Sequence, residues 1–584
     1  MNRCDLISAA VALHESGRLK EAIVCFEKLI DLSQGDYKLF VHLGALTLQC
    51  NELYKSIEYN KKALEINPNL FIAYGNLGLA LARLGIFEEA IENYDKAISI
   101  NPNYIDAYFN RGLAYQALER YENAVFSYSQ VINKNKNYWP AYLYRGLIFL
   151  KIRRNSHALH DFDSVLLINP DNFDAYYNKG NALIGLRLCQ EALDAYTVAI
   201  NINQSSCDCF NNRGNAFFNL NRIQEALSDY EAALFLNADF YDAYINKANA
   251  LRALKQFDQA CEYYDKAIGI RPDVGDAYWN KSLLKLHLGD FENGWQLYEW
   301  RWKIKNNQLK VRNYHQPLWL GVENIKNKTV LVYPEQGYGD FIQFCRFIPE
   351  LERIGVKVIL ETPNTLLSLM RTMKGKFSII QKDESLPEFD FHCPIMSLPL
   401  ALKINITTIP AIVPYLHADD NKVKNWSNYL GQKVKPRIGL VWSGSALQKD
   451  DINRSIPLEK FQSLLAQPYQ FHALQLEIKD EDRNFLSDSI LTVHSDKLFD
   501  FSDTAALINE MDLVITVCTS VAHLAGALGK PVWILLSRSA CYRWMENSDD
   551  TPWYPTARLF RQPNHGDWDK VISNVSSQLV LEKL

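Results

Sequence analysis

Residues 513–536 read LVITVCTSVAHLAGALGKPVWILL, and this stretch decides the fold of the second half of the chain. An apolar run meets the small polar turn Cys518-Thr519-Ser520, a helix-like stretch follows, and Gly-Lys-Pro leads into a second apolar run. Short apolar runs bounded by turn residues are the mark of strands buried on both faces, as in a parallel sheet. Working back towards Lys435, the alternation continues through RIGLVWSGS (strand), PLEKFQSLLAQ (helix), FHALQLE (strand) and DTAALINEMD (helix). Further upstream TVLVYP, KVILET, FSIIQ and FDFHCPI read as strands, with FIQFCRFIPELERIG and a segment from about Leu366 as helices. Strands and helices over such short links predict two Rossmann-like units, residues 328–430 and 431–584, binding any ligand at the carboxyl ends of their strands.

The polar segment 309–327 reads as a linker, and before it the period changes. Tyr74, Tyr108, Tyr142, Tyr176, Phe210, Tyr244 and Tyr278 are spaced by 34 residues. Gly78, Gly112, Gly146, Gly180, Gly214, Ala248 and Ser282 follow in phase, as do Ala90, Ala124, Ala158, Ala192, Ala226, Ala260 and Gly294. Two helices per unit pack closely at the small residues, aromatics fill the gaps, and units stack because none buries its apolar face alone. The pattern resembles the tetratricopeptide repeat and predicts about nine units over residues 1–308. The fold class expected is therefore an α solenoid followed by an α/β region. Asn76, Asn110, Asn178, Asn212, Asn246 and Asn280 share one position of the unit, with Tyr144 interrupting the series. Carboxamides one repeat apart can clamp an extended peptide backbone, and the series looks like the asparagine ladder of O-GlcNAc transferases. Asn is also a common choice on the surface of such helices, and that reading stays open.

Composition narrows the classes. With 48% hydrophobic and 22% charged residues the chain is ordinary for a soluble protein, and a net charge of -5 gives no general reason to expect nucleic acid. No segment reaches the length of a transmembrane helix, and no secretory h-region is evident. Eleven scattered cysteines suit reduced thiols and a cytoplasmic location. Cys207-Asp208-Cys209 is too close-spaced and isolated for a zinc site.

Several residues stand where ligands are expected. Gly337, Gly339 and Asp340 follow the first strand and open a helix whose N-terminus could hold an anion, and Asp340 is of the type that caps a helix. Ser443 and Ser445 end the strand GLVW, and Lys449 and Arg454 follow in one loop; these hydroxyls and cations suit a diphosphate, or Arg454 pairs with Asp450 or Asp451 on a solvated loop. Gln475 and Glu477 end the next strand and are candidates for a ribose or base edge. Thr519 and Ser520 open a helix, where backbone N–H groups and hydroxyls could meet phosphate; the helix carries His523, which on the bland reading bonds backbone in the core.

EQGYGDFIQFCRFIP, GLVWSGS, DINRSIP, DTAALINEMDLVITVCTSVAHLAGALGKPVWILL and TPWYPTARLFRQ, together with GDFENGWQLYEWRW at the end of the repeats, resemble bacterial tetratricopeptide-repeat glycosyltransferases. The C-terminal part of that family is similar to the heptosyltransferases of glycosyltransferase family nine. The resemblance implies a GT-B fold and an inverting transfer from a nucleotide-diphosphate sugar with no metal or other cofactor. It implies Asp340 as base and His523 in the donor site. Cys518 and Cys541 stand where related proteins usually carry aspartate, which favours the rival expectation of a non-catalytic scaffold with a degenerate transferase fold. The first Rossmann-like unit is short, so the repeats are expected to share in binding a protein, peptide or glycan acceptor.

Overall fold

A computed structural model describes residues 3–30, 35–304, 309, 311–445, 451–487, 489–546 and 548–582. The chain packs as two compact units, Met1–Ala243 and Tyr244–Leu584. The sequence pattern changes near residue 308, but the packing divides earlier, because the last repeats share a core with the sheets.

The first unit consists of helix pairs from Arg3–Glu15 onward, each first helix followed by its partner after a short turn. A glycine of the first helix meets a ring of its own partner helix. A Cβ added at Gly78, Gly112, Gly146, Gly180 or Gly214 would lie 2.4–2.7 Å from Tyr94, Tyr128, Phe162, Tyr196 or Tyr230 respectively. The 34-residue glycine thus exists because an aromatic sixteen residues later occupies the space of its missing side chain. The turn inside each pair uses one left-handed residue, at Gly17, Asn51, Gly85, Glu119, Arg153, Arg187 and Asn221. That conformation closes a helix, and only two of these seven positions hold the glycine that favours it.

Ion pairs tie the two helices of a repeat or neighbouring repeats. Arg145 grips Asp161 with two bonds, 2.8 and 2.7 Å, and Arg213 grips Asp229 at the same distances. Burial pushes the Asp161 carboxyl up although Arg145 opposes it.

In the second unit, helices from Phe257–Ile270 to Phe291–Tyr298 continue the repeat pattern, Gly275–His287 and Phe291–Tyr298 share a core with the region that follows, and that region holds two all-parallel sheets. The smaller sheet holds β1 (Thr329–Tyr333), β2 (Lys357–Thr362), β3 (Ser378–Gln381) and β4 (Phe391–Pro394) in the order β3-β2-β1-β4. The larger holds β5 (Arg437–Val441), β6 (Gln470–Ala473), β7 (Thr492–Val493), β8 (Leu513–Val517), β9 (Val532–Leu536) and β10 (Ala557–Arg561), ordered β7-β6-β5-β8-β9-β10. The larger sheet has the doubly wound order 3-2-1-4-5-6, which reverses between β5 and β8. One core cluster runs from Trp295 and Tyr298 through Val330 and Phe344 to Leu524 and Trp553.

The helix expected over FIQFCRFIPELERIG is broken into Tyr338–Phe344, a 3-10 turn at Cys345–Phe347, and Ile348–Arg353. Pro349 cannot donate back into the preceding turn, so a new helix starts there. The segment expected as a linker is partly packed: Leu318 bridges His392 of β4, and Trp319 is buried. Strand β10 and the closing helix Trp568–Glu582 are additions to the elements expected from sequence.

Candidate functional site

The carboxyl ends of β5 and β8 flank the point where the strand order reverses. Ser443 follows β5 and is buried, with its hydroxyl unpartnered. Gln475 accepts from the Ser443 N–H at 3.3 Å and donates to the carbonyls of Ser443 and Glu477 at 3.1 and 2.9 Å. Its amide therefore clamps the ends of β5 and β6. Ser445 is half-buried in the same loop, and Lys449 lies outside the described residues.

Arg454 crosses the reversal point. Its Nη1 donates to the Cys518 carbonyl at 3.1 Å, and its Nε pairs with Asp451 at 3.2 Å. Asp451 also pairs with Lys479 at 2.9 Å. The charges of Asp451, Arg454 and Lys479 are thus met among themselves.

Thr519 stands at the N-terminus of the helix Ser520–Ala527 without capping it; its hydroxyl lies 3.3 Å from that of Thr516. His523 is buried, 3.0 Å from the Tyr554 hydroxyl, and its ring stacks on Trp544. Burial, then the charges of Arg543 and Arg346, hold its pKa well below the ordinary histidine value. It is a neutral histidine bonded to a side chain rather than to backbone.

The turn Gly337–Asp340 of the first sheet meets this helix. A Cβ on Gly339 would approach the His523 ring at 3.0 Å and Ser520 Cα at 3.3 Å, so a glycine is required for the contact. Asp340 does two things at once. Its Oδ2 accepts from the Gly337 N–H at 3.1 Å, tying the start of the helix, and its Oδ1 pairs with Arg543.

Arg543 is the residue that the sequence reading missed. Its Nε donates to Gln343 at 2.6 Å, and its Nη1 lies 3.7 Å from the Cys541 sulfur. Burial opposes the charge, but Tyr542, Asp340 and Cys541 outweigh it and raise the guanidinium pKa well above its ordinary value. The only signal in the sequence was the arginine of SRSACYRW, beside a cysteine already singled out.

Cys518 and Cys541, the two positions where acids were expected, are neighbours. The Cys518 sulfur accepts from the Trp544 indole N–H at 3.1 Å. The interaction with Cys541 and burial push the Cys518 thiol up, whereas the interaction with Cys518 and the Arg543 guanidinium draw the Cys541 thiol down.

Arg301 was also missed. It is fully buried at the end of the repeats, donating to Glu335 at 2.7 and 2.9 Å, to Ser397 at 2.7 Å and to Glu299 at 2.6 Å. Glu335 lies in the loop between β1 and the Gly337–Asp340 turn, so the last repeat holds that loop in place.

The asparagines lie on first helices of the repeats. In the first unit these helices contact one another between successive repeats more closely than their partners do, so they form the inner face. Asn212 donates to the Tyr177 hydroxyl at 3.1 Å and to Asn181 at 3.0 Å, bridging to the preceding repeat. Asn178 spends its amide N–H on the Asp174 carbonyl at 2.8 Å, whereas the Asn76 amide nitrogen is buried without a partner. Asn110 is half-buried. In the second unit Asn246 lies on the helix Tyr241–Ala253, and Asn280 donates to the Asp276 carbonyl at 2.9 Å.

Models of the tetratricopeptide repeat match residues 6–36, 84–119, 105–138, 143–206 and 211–275. The first half of the chain is built of tetratricopeptide repeats. Such an array is a scaffold for protein interaction. Among curated proteins, FlbA of Caulobacter vibrioides is 25% identical over 320 residues, covering 50% of this chain and 53% of FlbA. The chain thus spans about half the length of that relative. Among solved structures, a tetratricopeptide repeat protein of Parabacteroides merdae is 20% identical, covering 46% of this chain and 99% of its own, with a TM-score of 0.34. MamA of Desulfovibrio magneticus is 21% identical, covering 29% of this chain and 96% of its own, with a TM-score of 0.28. Among the described residues no helix is long and apolar enough to cross a membrane, and no three or more His, Cys, Asp or Glu side chains gather as metal ligands.

Proposed function

We propose that the second unit is a GT-B-type glycosyltransferase that takes a nucleotide-diphosphate sugar at the ends of β5 and β8, while the tetratricopeptide scaffold recruits a protein or peptide. The observation that carries this reading is the meeting of two strand-end loops: the Gly337–Asp340 turn of one parallel sheet against Ser520 and His523 of the other. A donor bound at the reversal point would have the helix N-terminus at Thr519 and Ser520, and Arg454, to receive its diphosphate. Asp340 takes the proton from the acceptor hydroxyl, and transfer inverts the anomeric carbon in one displacement. At rest the Asp340 carboxylate is held by Arg543. The arriving diphosphate competes for that guanidinium and frees the base. No metal ion or other cofactor enters this scheme.

The Asp340–Arg543 pair also favours a second reading. A base locked in an ion pair, beside two thiols in place of acids, fits a scaffold whose transferase fold no longer turns over. Thermal-shift titration separates the two. The probes are uridine, guanosine, adenosine, cytidine and thymidine diphosphates and their sugar conjugates. On the enzyme reading at least one probe raises the melting temperature by mass action, and Thr519→Ala or Arg454→Gln reduces the rise. If no probe stabilises the protein at saturation, the scaffold reading stands.

A further inference from the structure

The Cys518–Cys541 pair has a chemistry that transfer of a sugar does not use. Both residues are partly buried, and the two thiols lie close enough to interact. Both are held by one turn, Cys541 through the Arg543 guanidinium at 3.7 Å and Cys518 through the Trp544 indole at 3.1 Å. We propose that Cys541 and Cys518 form a hydroperoxide-reactive dithiol, with Cys541 as the attacking sulfur and Cys518 as the resolving one.

The roles follow from the geometry. A cation beside a thiol favours its thiolate, the nucleophilic form, and Arg543 stands beside Cys541. Cys518 has no such cation and receives an N–H from Trp544 at 3.1 Å. The Cys518 bond and the Arg543 guanidinium draw the Cys541 thiol down, in agreement with this order. The sequence alone showed no base to activate Cys518; the structure shows a cation that activates its neighbour instead.

The step balances. The Cys541 thiolate attacks one peroxide oxygen, an S–O bond forms, the O–O bond breaks, and the second oxygen leaves as hydroxide or alkoxide and takes up a proton. Cys518 then attacks the sulfenic sulfur: the S–S bond forms, the S–O bond breaks, and the departing hydroxide takes the proton Cys518 has given up. Two thiols lose two electrons, and the hydroperoxide gains them. A disulfide requires the sulfurs to close to about 2.05 Å. The product ties Arg543 and Trp544 covalently to the end of β8 and removes the thiolate charge beside Arg543.

The test is peptide mapping of the full chain after graded additions of hydrogen peroxide, with dimedone present to trap sulfenic acid. Cys189 and Cys207, half-exposed thiols in the repeats, serve as internal standards. The expected result is a Cys518–Cys541 cross-linked peptide that reduction releases, formed about tenfold faster than oxidation of either standard. Cys518→Ser accumulates the dimedone adduct at Cys541, and Cys541→Ser gives none at Cys518. The proposal is overturned if no cross-link forms in the wild type, if the adduct accumulates on Cys518, or if the standards oxidise as fast. The wild-type arm needs no variant to fold.

Discussion

His472 and His494 form a buried pair 3.1 Å apart behind β6, each with its remaining ring nitrogen unpartnered. Trp426 and Tyr429 pack on His494, and Arg437, Asp496 and Lys497 are the charges around the pair. Burial first, then His494 and Arg437, draws His472 from the ordinary 6.5 to about 4. A histidine whose folded pKa is depressed contributes stability that is complete above pH 6.5 and is lost as pH falls from there towards 4. The limit is about 3 kcal/mol for this residue. Urea denaturation of the full chain, followed by tryptophan fluorescence between pH 7 and 4, should show this loss, and His472→Gln should flatten it. A slope unchanged by the substitution would exclude the pair as its source. None of this was legible in the sequence, where the two histidines are far apart. By contrast the Gly337–Asp340 turn and the Thr519–His523 stretch were legible, because a strand followed by small polar residues and a helix is a local pattern. What their side chains do was not: Asp340 depends on Arg543, and Gln475 on the backbone of Ser443.

At the scale of elements, the repeats were legible because their cause is itself periodic: one glycine, one ring, every 34 residues. The cost of disturbing that fit can be stated. Gly146→Ala places a Cβ 2.7 Å from the Phe162 ring, a buried side chain with little room to yield. Overpacking of this kind costs about 1–3 kcal/mol. Gly269→Ala is the matching control, on an exposed helical surface with nothing within 4 Å, and it should stabilise by about 0.5–1 kcal/mol. Thermal melts of the two variants beside the wild type should move in opposite directions. Equal shifts would mean that helix propensity alone governs these sites. The strands were recognisable from their apolar runs, but the broken helix after β1 was not, since apolar periodicity carries through Pro349 without showing the interruption.

For the molecule as a whole, the decisive group is Arg301. Replacing it with methionine leaves Glu335 buried without its partner, and breaking a buried pair in this way costs about 3–5 kcal/mol. Arg301→Met should therefore lower the melting temperature of the second unit markedly. Limited proteolysis should then cut first in the loop around Glu335, which Arg301 holds; cleavage confined to the repeats would contradict that anchoring role. The sequence marked the two architectures and the change of period between them. It could not show that the last repeats share their core with the sheets, because that depends on contacts between Trp295, Phe344 and Trp553, which are distant in sequence. The glycine–ring fit has a different bearing on how such a chain can change over generations. Gly78, Gly112, Gly146, Gly180 and Gly214 each meet a ring of their own repeat, so duplication or loss of one of those whole modules carries both partners of the fit together. After Tyr244 that freedom ends, since removing a module there would take away the wall on which the sheets are built.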